Sequence, residues 1–188
     1  ATNKNAMRER FALFGVPTPA SQKVSTLAQA QGFVQAHPGP IVVKPSDCSG
    51  QRGTHRVDHL ADLGRALQDA LKYSGDGQAI VEVFHAGPEI NVTAAVQNGV
   101  IHWLSLSDRI TAAPPHFGIA LEHRMPSKVG AQAEAAILQA SERAIRAVGL
   151  RDGIAYPQVL WTSEGPKVLE IAVRIPGGHM ADVAMHTS

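Results

Sequence analysis

Asn98-Gly99 stands between two strand-like runs, and no other stretch of the chain restricts its fold as much. Before it, Ile90, Val92, Ala94 and Val96 alternate with Asn91, Thr93, Ala95 and Gln97, a period of two that suits a half-buried strand. After it, Val100 to Leu106 supplies the returning strand. A two-residue hairpin turn wants positive φ at both positions, and Asn-Gly tolerates that better than other pairs. Antiparallel pairing is thus expected in the middle of the chain. A second hairpin is expected from Gly153 to Trp161, a Ser163–Pro166 turn and Lys167 to Val173. Helices mixed with such hairpins argue for an α+β fold rather than a doubly wound parallel sheet.

The helical segments follow from spacing and caps. Met7, Phe11 and Phe14 recur at helical intervals after a Thr2 cap and before Gly15. A weaker helix is expected over Thr26 to Ala36. Asp58 is expected to cap a helix whose apolar face is Leu60, Leu63, Leu67 and Leu71. Ser127 to Val148 is the clearest helix, with Ala133, Ile137, Ala140, Ala144 and Val148 on one face. Ile41-Val-Val-Lys44 and Ala79 to Phe84 read as strands. Residues 108–126, with three prolines, read as a long irregular segment of the kind that often carries function.

Composition excludes more than it assigns. In 188 residues, 44% hydrophobic content supports a full core, and a net charge of +1 argues against a nucleic-acid face. Cys48 is the only cysteine, so neither a disulfide framework nor a cysteine zinc cluster is expected. No run approaches a membrane span, and the polar first ten residues lack a signal-peptide core. A cytoplasmic protein is expected. The nine histidines give no pair at a ligand spacing such as His-x-x-x-His with a third ligand nearby, so a metal-protein reading is poor.

Three segments can carry chemistry. Lys44 ends an apolar strand and precedes Ser46-Asp-Cys-Ser-Gly-Gln-Arg-Gly53, a small-residue loop able to set one cation and several N–H groups around phosphates. Neither the Walker A nor the G-x-G-x-x-G pattern is present, and a surface lysine beside a flexible loop fits those residues equally well. Val81-Glu82-Val83-Phe84 and Glu89 can hold a purine edge and ribose hydroxyls, or can flank an ordinary solvated turn. Glu170 and Arg174 share a strand face at four-residue spacing beside Gly177-Gly178. They suit a magnesium–phosphate site or a structural ion pair.

The order of these segments resembles the ATP-grasp family over almost the whole chain. Asn3-Lys4, Met7-Arg-Glu-Arg-Phe11 and Gly15-Val-Pro17 resemble the family's opening helix, with Lys4 at its first ATP-contacting lysine. Val42-Val-Lys44-Pro45 and Ser46 to Gly53 resemble its second lysine strand and mobile phosphate loop. Glu82 to Phe84 is similar to the adenine hinge, Glu89 falls at the ribose acid, and Leu169-Glu170 through Arg174 resembles the closing metal strand. Two positions depart from the pattern: Gln158 stands where the family usually has an acid, and Ala172 where Asn is frequent.

The resemblance implies an α+β ATP-grasp fold of two lobes with antiparallel sheets around an ATP cleft. It assigns 20–78 to the small lobe and 1–19 with 79–188 to the larger one, within a longer enzyme whose flanking domains are absent from these 188 residues. It implies ATP and Mg²⁺ (or Mn²⁺). Lys4, Lys44, Ser46, Ser49, Gly50, Gly53, Glu82, Phe84 and Glu89 would hold nucleotide, Glu170 and Gln158 the metal, and Arg174 and Arg109 the reacting groups. The implied activity is carboxylate–amine ligation through an acyl phosphate, on small-molecule carboxylate and amine partners, with no membrane partner and with homo-oligomerisation left open. Closest in pattern are the carbamoyl-phosphate-synthase-like and amino-acid-ligase branches. The alternatives are a carboxylase or carbamoyl-phosphate-synthase type of enzyme and a nucleotide-binding module without turnover.

Overall fold

Residues 3–112 and 117–177 are described by the computed structural model of the chain. Helix α1 (Lys4–Leu13) opens it, followed by β1 (Ser21–Val24), α2 (Leu27–Ala36), β2 (Ile41–Pro45) and β3 (His55–Val57). Then come α3 (Leu63–Lys72), β4 (Ala79–Val83), β5 (Glu89–Gln97), β6 (Val100–Thr111), β7 (Ala120–Arg124), α4 (Ala131–Ala147), β8 (Gly153–Thr162) and β9 (Gly165–Ala172). The strands form two sheets, ordered β1-β4-β2-β3 and β7-β6-β5-β8-β9. Every strand pairing in both is antiparallel.

In the four-stranded sheet, Ile41 and Val43 of β2 and Ala79 and Val81 of β4 pack with Phe33, Leu63, Leu67 and Ala70 of α2 and α3. Because strand side chains alternate, Val42, Lys44 and Glu82 take the opposite face, away from those helices. In the five-stranded sheet, Ile90, Val92, Ala94 and Val96 pack with Ile137, Ala140 and Ala144 of α4 and with Met7 and Phe11 of α1. Glu89 and Asn91 therefore lie on its other face. The two faces left uncovered by these helices are the ones that build the site.

Local chemistry sets most element ends. Thr26 and Gln29 form a reciprocal capping box at α2. The Thr2 cap lies outside the described residues; within them Asn3 accepts the Ala6 N–H and caps α1. Asn98 and Gly99 turn the β5–β6 hairpin with φ of 52° and 80°, and Gln97 pairs with Val100.

Four expectations change. Asp58 does not cap α3: its carboxylate accepts from Arg56, and a 3₁₀ turn at Leu60–Asp62 precedes the helix, leaving Leu60 exposed. The 108–126 segment is not irregular throughout, because β6 runs on to Thr111 and β7 pairs back on it; Pro114, Pro115 and His116 lie outside the described residues. Helix α4 starts at Ala131 rather than Ser127, because the Asp108 carboxylate takes the Ser127 hydroxyl and the Lys128 N–H and Gly130 has a φ of 85°. Strand β4, expected with the later half of the chain, inserts between β1 and β2, so the first sheet extends to Val83.

Candidate functional site

A cavity of about 900 Å³ lies between the sheets, a volume that suits a drug-sized or nucleotide-sized ligand. Val42, Lys44, Glu82 and Phe84 line it from the first sheet, and Glu89, Leu160 and Leu169 from the second. A smaller space of about 70 Å³ adjoins it, walled by Lys4, Ser49, Arg109, Gln158 and Glu170, with Lys44, Gly50, Glu89 and Leu169 among the residues that line both.

The larger cavity has an apolar side. The Phe84 ring meets the Phe117 ring edge-on at 6.1 Å between centroids, and the Arg56 guanidinium lies 4.1 Å over Phe84. With Val42 on one sheet and Leu160 and Leu169 on the other, these groups can enclose a planar ring.

The smaller space is charged. Lys4 starts α1, its backbone N–H donating to the Ser46 carbonyl at 2.7 Å and its Nζ to the Cys48 carbonyl at 2.6 Å. Burial holds its pKa below the usual lysine range, with Glu170 pulling the other way. Lys44 Nζ donates to Glu82 Oε2 at 2.6 Å. Gln158 and Glu170 face each other across the β8–β9 pair, so their side chains share a face. Gln158 Nε2 donates to Glu89 Oε2 at 2.7 Å, and Arg109 donates to the same oxygen. The carbonyl oxygen of Gln158 remains the atom able to meet a cation.

Glu82 is 2% exposed. Burial alone would raise its pKa, but the charges of Arg8 and Lys44 outweigh that and hold it at about 2, against a usual 4.5. A depressed folded-state pKa contributes stability above the unfolded value, and that contribution disappears as pH falls. The gap in urea midpoint between the parent and Glu82→Gln is therefore expected to be widest above about pH 4.5 and to shrink as pH falls toward 2. A gap constant across that range would contradict the buried-ion account.

Of the residues expected in the site, Lys4, Lys44, Ser49, Gly50, Glu82, Phe84, Glu89, Arg109, Gln158 and Glu170 line the two cavities. Ser46, Gly53 and Arg174 do not. Ser46 is fully buried, and its hydroxyl donates to Asp76 Oδ1 at 2.5 Å. Gly53, at φ +66°, packs on α3: a Cβ there would come within 2.9 Å of Tyr73 Cδ2 and 3.2 Å of Ala70 Cα. Arg174 is exposed, and its Nη1 donates to the neighbouring Ile175 carbonyl. Gly178 lies outside the described residues. Glu82 borders the cavity with both carboxylate oxygens already engaged, by Arg8 and Lys44, so its side chain is not free to read a base.

Sequence reasoning missed Arg8, Arg56, Leu160, Leu169 and Phe117. Arg8 was findable, since it lies four residues after Lys4 on the same helical face. Arg56 sits in a three-residue strand, β3, too short to show a period. A polar group beside these residues on the same sheet face was also missed: Asn91, paired with Gln158, donates from Nδ2 to the Tyr156 hydroxyl at 2.6 Å and lies 3.3 Å from His123 Nδ1.

Among the described residues no three His, Cys, Asp or Glu side chains gather into a metal cluster. Glu170 with the Gln158 carbonyl still fits magnesium, which keeps several waters and commonly takes one or two carboxylates plus substrate phosphates. It does not fit a cation held by protein ligands alone.

The ATP-grasp domain family matches residues 37–182. This chain belongs to the ATP-grasp family. It is 29% identical to a D-alanine–D-alanine ligase of Gloeobacter violaceus over 94% of its own length and 60% of the ligase's. Its fold resembles the L-amino acid ligase of Bacillus licheniformis, with a TM-score of 0.80 at 24% identity, over 96% of this chain and 42% of that one. It also resembles the biotin carboxylase domain of the Hydrogenobacter thermophilus 2-oxoglutarate carboxylase, solved with MgADP, ADP and bicarbonate. There the TM-score is 0.80 at 19% identity, over 95% of this chain and 41% of that one. The chain spans about half the length of the curated relatives it matches. Among the described residues no helix is long and apolar enough to cross a membrane.

Proposed function

We propose that the cleft binds Mg-ATP and that the chain supplies the nucleotide site of a carboxylate–amine ligase. The observation that carries this reading is the meeting of Lys4, Lys44 and the 49–50 backbone with Glu170 and Gln158 in one small space beside an apolar slot. The slot suits a purine between Val42, Phe84 and Leu169, and Glu89 suits its ribose hydroxyls. Lys4 and Lys44 place two ammonium charges where a polyphosphate would lie, and Gly50 lets backbone N–H groups approach it closely. Glu170, with the Gln158 carbonyl, would hold the magnesium, which supplies charge neutralisation on the transferring phosphoryl group.

The ligase reaction on these substrates has two steps. A carboxylate oxygen bonds to the γ-phosphorus as ADP leaves, giving an acyl phosphate. The amine nitrogen then bonds to the acyl carbon as phosphate leaves and the nitrogen gives up a proton. Arg109, on the wall of the smaller space, would steady the acyl-phosphate charge with the N–H groups it does not spend on Glu89 and the Gly118 carbonyl. Arg174 would reach the same space only after a change from its exposed position. Gln158 and Ala172, in place of an acid and an amide, favour a second reading: nucleotide binding without turnover. The D-alanine–D-alanine ligase likeness supports the first reading, and the carboxylase likeness makes bicarbonate a necessary acceptor to test.

Saturating Mg-ATP is expected to raise the melting temperature by several degrees, since a native-state ligand at 100 times its Kd adds about 2.7 kcal/mol. GTP is expected to give less. Unchanged melting at millimolar Mg-ATP counts against the nucleotide site. Acceptor class is then read from an ADP-release screen over amino-acid pairs, ammonia and bicarbonate; ATP binding with no ADP release under any acceptor selects the non-turnover reading.

A further inference from the structure

Arg8 touches neither cavity, yet it connects their two chemically distinct walls. It is 8% exposed. Its Nε and Nη2 donate to Glu82 Oε1 at 2.9 and 2.5 Å, while Nη1 and Nη2 donate to the Val168 and Leu169 carbonyls at 2.9 and 2.8 Å. Glu82 presents its other oxygen to Lys44, and Leu169 immediately precedes Glu170. A single planar guanidinium therefore joins strand β4 of the first sheet to strand β9 of the second, a task its fork of donors suits better than an ammonium would.

The charges decide what that contact does. Lys44 and Glu82 by themselves form a neutral pair, and a carboxylate 2.6 Å from the ammonium would cancel most of its field at a phosphate. Arg8 adds a buried cation on the side of Glu82 away from the cavities. The trio then carries one net positive charge, and the member of it that faces both cavities as a cation is Lys44. The carboxylate is ionised at all ordinary pH, its pKa lying at about 2.

We propose that Arg8 is a positioning residue of the phosphate subsite: it neutralises Glu82 from behind, so that Lys44 presents an uncancelled charge to a polyphosphate anion, and it holds the Leu169–Glu170 segment against the same carboxylate. This rests on the reading of the smaller space as a phosphate site. It predicts selectivity by charge, with the polyphosphate losing affinity on removal of Arg8 and the neutral nucleoside not.

Calorimetric titration with inorganic triphosphate, ATP and adenosine tests this on the parent, Arg8→Met, Arg8→Lys and the double variant Arg8→Met/Glu82→Gln. Arg8→Met is expected to weaken triphosphate and ATP by about 10-fold or more, a one-charge effect at partly buried distances, and adenosine by less than about twofold. Arg8→Lys, which keeps the cation, is expected to stay within about threefold of the parent for triphosphate. The double variant removes one buried cation with its buried anion, a change proteins often tolerate, and leaves Lys44 uncancelled. Its triphosphate affinity is expected to recover to within about threefold of the parent. A merely structural Arg8 predicts instead that the double variant is as weak as the single one, and that result overturns the proposal, as does parental affinity in Arg8→Met. Should Arg8→Met fail to fold, the double variant decides alone by the same threefold and tenfold limits. A parent chain that binds neither triphosphate nor ATP overturns the nucleotide reading itself, which separates that failure from this one.

Discussion

Glu170→Gln is expected to abolish the magnesium-dependent part of ATP affinity while leaving adenosine binding within about twofold of the parent. Gln158 and Glu170 face each other on β8 and β9, and Gln158 spends its amide N–H on Glu89. Glu170 is thus the only carboxylate of the pair, and an amide in its place leaves two neutral oxygens where magnesium favours anionic ones. ADP formation should fall by about 10²–10³-fold, the scale seen when one preorganised electrostatic partner is removed from a reacting centre. Titrating ATP with and without magnesium, alongside adenosine, separates this from unfolding. Equal magnesium dependence in parent and variant would take the metal away from Glu170. Gln158→Glu should act in the opposite sense and tighten magnesium, provided Glu89 keeps its Arg109 partner.

Lys44→Ala is the second large effect. Its ammonium faces both cavities and is anchored by Glu82, so the expected loss in ATP affinity is about 10–100-fold, corresponding to one charge-assisted contact of roughly 1.5–3 kcal/mol. The fold should survive, because Glu82 keeps both of its bonds from Arg8 and is not left as an unpaired buried charge. Lys72→Ala is the control: Lys72 ends α3 on an exposed face, and its ATP affinity should match the parent within about twofold. Equal affinities for all three proteins would make Lys44 an ordinary strand-end lysine. The Glu82→Gln acid series and these two titrations together distinguish the buried ion trio as a stability element from its part in the site.

What could be read from the residues follows the range of the interaction that specifies it. The Asn98-Gly99 hairpin, the helix beginning at Thr26, the Ser163-Glu164 turn and the apolar face of α4 all depend on neighbours within four residues, and all are present in the structure. Strand β3 and the edge strands β1 and β7 were not legible. Three to five residues hold too few periods to reveal a face, and an edge strand is specified by the partner it pairs with.

The amino-acid sequence by itself determined the antiparallel α+β character, the family, and the set of residue types from which a nucleotide site can be made. Only the tertiary structure decided which of those residues meet. Period-two alternation says that Val42, Lys44 and Ser46 share one side of an extended run, but not where that run ends. Ser46 lies one residue beyond β2, buried on Asp76, while Lys44 still faces the cleft. Gly53 could be read as a phosphate glycine or a packing glycine until α3 was seen against it. Glu82 could be read as a base-reading acid until β4 was placed between β1 and β2, with Arg8 reaching across from α1. Each of these outcomes depends on a contact between segments tens of residues apart in the chain. Local propensity carries no information about such contacts; the packing of two helix-covered sheets, with their bare faces turned toward one cleft, does.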